Sequence, residues 1–156
     1  MKTLVLGIGN PILGDDGIGF HVAQELAREI KDENVEVKYT SIDGFNLLDL
    51  IVGYDKVIII DAIITKDGEV GEIYKLRPEN FVRTVHLTTS LHNANLATAF
   101  EVGRKFLAEQ MPGEVVVFAV EIEEVTRFTE EMTGRVMDAV PKVVNLVLKE
   151  VDPNKR

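Results

Sequence analysis

The chain has 156 residues, 46% of them hydrophobic and 28% charged, with a formal net charge of −9 at neutral pH. That length suits one domain over 1–156, large enough to bury roughly two-thirds of its unfolded surface, and the acidic balance argues against nucleic acid or anionic lipid as a partner. With no cysteine, a disulfide framework, a thiolate zinc site and a cysteine nucleophile are excluded; a cytoplasmic location is expected, with which the absence of cysteine is compatible.

In chain order, "TLVLGIG" (3–9) reads as a strand buried on both faces, followed by the turn formers Asn10 and Pro11. The run is too short for a signal peptide and lacks a cleavage site, and no apolar stretch nears the roughly 18 residues of a membrane helix. Residues 17–31 follow helical spacing, with Ile18, Val22, Ala23, Leu26, Ala27 and Ile30 on one face and His21 on the polar face. A second strand is expected over 35–42 and a short helix over 46–53. "KVIIIDAI" (56–63) is the strongest strand in the chain, three isoleucines running into Asp61.

The turn-forming Asp67-Gly68 joins that strand to another over 71–77. A long helix follows over 92–110, with Leu96, Ala99, Phe100, Gly103, Phe106 and Leu107 facing inward. His86 precedes it and reads as a packing or solvent-facing residue. "EVVVFAVEI" (114–122) is a further buried strand, and a last helix is expected over about 129–150, with a kink or break at Pro141. Strands alternating with helices predict an α/β fold: a three-layer α/β/α sandwich on a mostly parallel twisted sheet of about five strands.

In such sheets ligands bind off the carboxyl ends of the strands, where strand order reverses. The loop after the first strand carries Asp15 and Asp16, and Asp61 ends the third strand. If the two strands are neighbours, roughly 5 Å apart, their end groups can meet. His92 opens the second long helix after "TTS" (88–90), on the face that carries Leu96 and Ala99. Two carboxylates and an imidazole from three elements form a donor set for a borderline divalent metal such as zinc or nickel. Plainer readings stand beside this one: Asp15 as cap of the first helix, Asp61 as a turn former, His92 as a structural residue.

A nucleotide-binding reading fits less well. Gly7 and Gly9 match the first two glycines of a dinucleotide loop, but Ile12 stands where the third belongs. Asp15 and Asp16 also occupy the helix start where a pyrophosphate would sit. A carboxylate about 4 Å from a phosphate charge costs on the order of 4 kcal/mol at an effective dielectric near 20.

"LVLGIGNPILGDDGIG" (4–19) resembles the N-terminal signature of the hydrogenase maturation proteases. "VIIIDAI" matches that family's strand ending in Asp, and "TTSLH" its Ser-x-His segment. The resemblance implies an α/β/α endopeptidase that removes a C-terminal peptide from the nickel–iron hydrogenase large-subunit precursor after nickel insertion. It implies Asp16, Asp61 and His92 as the catalytic and metal-contacting residues, with nickel presented by the substrate. Asp43, in Asp43-Gly44 after the second strand, is placed near the pocket by the same likeness. "VTRFTEEMTG" (125–134) matches less closely and contributes no site residue. A metal held by two carboxylates and a histidine can polarise the scissile carbonyl or activate water; alternatively, one Asp acts as general base, as in aspartyl proteases. Two other classes remain open: a nickel-site docking or chaperone protein that does not cut, and a nucleotide-binding α/β module.

Overall fold

The computed structural model describes residues 1–41, 46–77, 91–123 and 127–154, with backbone alone at 46 and 91–97. Five strands form one sheet: β1 (Thr3–Ile8), β2 (Val35–Thr40), β3 (Lys56–Ile63), β4 (Ile73–Leu76) and β5 (Glu114–Glu121), in the order β2-β1-β3-β5-β4. β1 pairs in parallel with both β2 and β3, and β3 pairs in parallel with β5. β1 and β3 are thus neighbours, as the placement of Asp16 and Asp61 at one edge requires.

The helices α1 (Ile18–Glu29), α2 (Asn46–Ile51), α3 (Leu91–Phe106) and α4 (Gly134–Val151) sort onto two faces. Strand residues alternate between faces, and the two core clusters record the result. Leu4, Leu6, Val57 and Ile59 pack with Leu47 and Ile51 of α2 and Ala99 and Phe100 of α3. Val5, Ile58 and Ile60 pack with Ile18, Val22 and Leu26 of α1 and Val136, Val143 and Val147 of α4. This is the three-layer arrangement the alternation of elements predicts.

Beyond the Asp67-Gly68 turn, β4 does not lie beside β3: β5 runs between them, and β4 pairs with it antiparallel as the edge strand. A short turn such as Asp67-Gly68 reverses the chain without dictating which strand receives it. Phe106, at the last turn of α3, is 71% exposed rather than inward-facing, with the Lys105 ammonium 5.5 Å from its ring. Ala27 is likewise exposed on α1. The last helix begins at Gly134 and runs unbroken through Pro141. Pro141 lies on the exposed side, where water can replace the hydrogen bond that its missing N–H denies the Met137 carbonyl.

Candidate active site

The chain leaves β1 through a loop built on close backbone approach. A Cβ on Gly7 would run into the Gly19 carbonyl, and one on Gly19 into the carbonyls of Ile8 and Ile60. These two glycines let the start of α1 lie directly on β1 and β3. Gly9 holds φ at +145°, and a Cβ there would collide with the Asp16 carbonyl. The loop then folds back as a short 3-10 turn, Gly14–Gly17, that leads into α1. The close-packing glycine of the first helix is therefore Gly19, beyond the place where a dinucleotide loop would set it.

Within this turn the two carboxylates take different partners. Asp16 is 9% exposed; its Oδ2 accepts the Asn10 N–H at 3.0 Å, and its own N–H donates to the Leu13 carbonyl. Asp15 is 5% exposed and does not cap α1, which has no side-chain cap. Its Oδ1 accepts the Thr133 N–H at 2.7 Å and its Oδ2 the Thr133 hydroxyl at 2.9 Å. Thr133 is the N-cap of α4, so the helix that Asp15 serves is the last one. The same seam is closed by Gly14 N–H to the Thr129 carbonyl and Thr129 N–H to the Ile12 carbonyl, both at 2.7 Å.

Asp61 lies near the carboxyl end of β3 and is 1% exposed. Alternation along the strand turns its side chain to the face covered by α2 and α3. Its Oδ1 accepts the Ala62 N–H at 2.8 Å, while Oδ2 is buried without a hydrogen-bond partner among the described residues. Burial pushes the Asp61 carboxyl well above its ordinary range; the Ala62 N–H opposes this and the Asp16 charge adds to it. Asp16 and Asp61 thus act on one another electrostatically, and the fold brings these two expected site residues together.

His92 is the second residue of α3, the helix whose Ala99 and Phe100 pack on the face to which Asp61 turns. Its side chain lies outside the described residues, as do Asp43, His86 and the 88–90 segment. His21 is half-buried rather than solvent-facing, with its Nε2 enclosed and its ring edge-on to Phe20. Thr133 went unnoticed in the sequence, although a Thr-Gly before an apolar period of three and four is an N-cap signal.

A buried carboxylate oxygen with no partner beside a second carboxylate is a site short of positive charge. The Asp16 charge acting on a buried Asp61 carboxyl leaves a place that a cation would fill. Asp16 and Asp61 therefore fit a divalent metal with oxygen and nitrogen ligands.

Comparison with known proteins shows the family. The family profile described as HycI, hydrogenase maturation protease, matches residues 20–150. A Methanocaldococcus jannaschii protein assigned to the hydrogenase maturation proteases is 30% identical over 153 residues, covering 95% of each chain. The hydrogenase 2 maturation protease of Escherichia coli is 35% identical over 98 residues, 62% of this chain and 60% of that one. Among solved structures, the hydrogenase maturating endopeptidase HybD of E. coli superposes with a TM-score of 0.84 at 26% identity, covering 99% of this chain and 94% of that one. Among the described residues, no helix is long and apolar enough to cross a membrane.

Proposed function

The chain belongs to the hydrogenase maturation proteases, and from that premise we propose that it is the endopeptidase that removes the C-terminal peptide of a nickel–iron hydrogenase large-subunit precursor once nickel is in place. The observation that carries the reading is the buried Asp61 carboxyl, its Oδ2 unpartnered among the described residues, beside Asp16 at the carboxyl edge of the sheet.

In this reading nickel belongs to the substrate. Asp16, Asp61 and His92 contact the nickel that the precursor presents, and the contact registers the scissile bond against the site. Burial disfavours the charged Asp61 carboxylate, so an approaching cation supplies the positive charge that the site lacks. Asp16 and Asp61 then stand within reach of a water as general base candidates. An unloaded precursor makes no such contact and is left uncut, which confines cleavage to the loaded form.

The test is incubation of nickel-loaded and nickel-free precursor with the protein, followed by mass spectrometry of the precursor's C-terminus. A product shortened only in the loaded sample supports the proposal. A stable complex with an intact C-terminus would make the protein a docking factor and overturn it.

A further inference from the structure

Beyond Asp61 the same face of the sheet carries a separate concavity. Ile63, two residues further along β3, forms its floor with Tyr74 and Leu76 of β4, and the loop 65–68 forms one wall. Its volume is about 360 Å³, in the range of pockets that enclose a small ligand or a substrate side chain. The floor is apolar, while Lys66, Asp67 and Glu72 stand exposed at the rim.

The wall is held from beneath by one buried acid. Glu121, 2% exposed at the end of β5, accepts the Thr65 N–H at 2.8 Å, the Thr65 hydroxyl and, shared with Glu72 at 2.6 Å, the Tyr74 hydroxyl at 3.1 Å. Its backbone clamps the far end of the same connection: Glu121 N–H donates to the Glu72 carbonyl and Gly71 N–H to the Glu121 carbonyl. The loop over 65–71 is thereby fixed at both ends, so the cavity is a preformed feature of the sheet edge.

Spacing argues for its occupant. Side chains on one side of an extended peptide recur about every 7 Å, two residues at roughly 3.3–3.4 Å each. Ile63 stands one such interval from Asp61 on β3, and through the register Asp61–Ala119–Tyr74 the Tyr74 floor lies level with Asp61, two strand spacings or roughly 10 Å across. A peptide crossing this edge with its scissile bond at Asp61 therefore sets a side chain within a few residues of that bond over the pocket. The apolar floor rewards an aliphatic or aromatic side chain, with the charged groups confined to the rim.

We infer that this cavity is the subsite for an apolar side chain of the polypeptide substrate close to the scissile bond, with Ile63, Tyr74 and Leu76 setting its size. The inference rests on the protease reading and adds a specificity determinant to it.

Two substitutions block the pocket from different sides: Leu76→Trp from the floor and the exposed Lys66→Trp from the rim. Leu76→Met conserves volume and serves as control. Processing of nickel-loaded precursor is measured alongside thermal melting. Both blocking variants should lose about tenfold or more in kcat/KM, with melting within a few degrees of wild type and the Met variant within about twofold of wild-type activity. Alanine replacing the apolar precursor residue that fills the pocket should slow the wild type by a similar factor and cost the Leu76→Trp enzyme nothing further. Wild-type rates in folded Leu76→Trp and Lys66→Trp proteins overturn the subsite, as does an alanine penalty that persists in full in Leu76→Trp. Failure of the wild type to cut any precursor, read before any variant, overturns the protease reading and the subsite with it.

Discussion

Asp15 receives two hydrogen bonds from Thr133, 118 residues further along the chain, at 2.7 Å from the backbone N–H and 2.9 Å from the hydroxyl. The arrangement works like a capping box, with the acceptor for the N-cap N–H supplied by a distant loop instead of the helix's own third residue. It fastens the loop that holds Asp16 to the start of α4. Asp15→Ala should cost about 1.5–3 kcal/mol in urea unfolding, because a charged acceptor is lost from a buried donor. Thr133→Val should cost about 1 kcal/mol, and the double variant no more than Asp15→Ala alone. Additive losses would show that the two residues are not coupled.

The contact of Gly7 with Gly19 makes a second prediction. A methyl at position 19 meets the Ile8 and Ile60 carbonyls, which are backbone and cannot swing aside. Gly19→Ala should therefore lift the start of α1 off β1 and β3, at about 1–3 kcal/mol, despite the better helix propensity of alanine. Processing should fall as well, since Asp16 sits immediately before this helix. A Gly19→Ala protein as stable as wild type would refute the packing argument.

Asp61 couples stability to pH in a defined direction. Its folded pKa is raised, chiefly by burial, so its folded form holds a proton that the unfolded chain releases. The contribution is fully present below the ordinary carboxylate range and is lost as pH rises through the raised folded value. Asp61→Asn removes the ionisable group. The variant should gain on wild type as pH rises from 4 towards 8, ending on the order of 1 kcal/mol more stable. Thermal melts across that range check the sign; an advantage for wild type that grows with pH would contradict it.

Much of the architecture was legible because burial writes itself into composition. The unbroken apolar run of Val57–Ile60 marks a strand covered on both faces, and an acid at its end marks the ligand edge. With β1 and β3 as neighbours, that rule sets Asp15, Asp16 and Asp61 at one edge, and the family resemblance points to Asp16 of the first pair. The misread features depend on contacts that no local pattern carries. Asp15 stands where a cap of α1 belongs, yet its partner is Thr133. The turn at Asp67-Gly68 says that the chain reverses, not that β4 crosses beyond β5. Phe106 fits the inward period of α3, but it stands at the helix's last residue and is exposed.

The central claim is that Asp16, Asp61 and His92 act together on a nickel-loaded precursor. It is tested most directly by single-turnover processing with Asp16→Asn, Asp61→Asn and His92→Ala proteins, each shown by melting to be folded. The account predicts that each variant slows cleavage by at least about a hundredfold, with Asp61→Asn doing so while remaining at least as stable as wild type at neutral pH. Normal cleavage by any one of the three would contradict it.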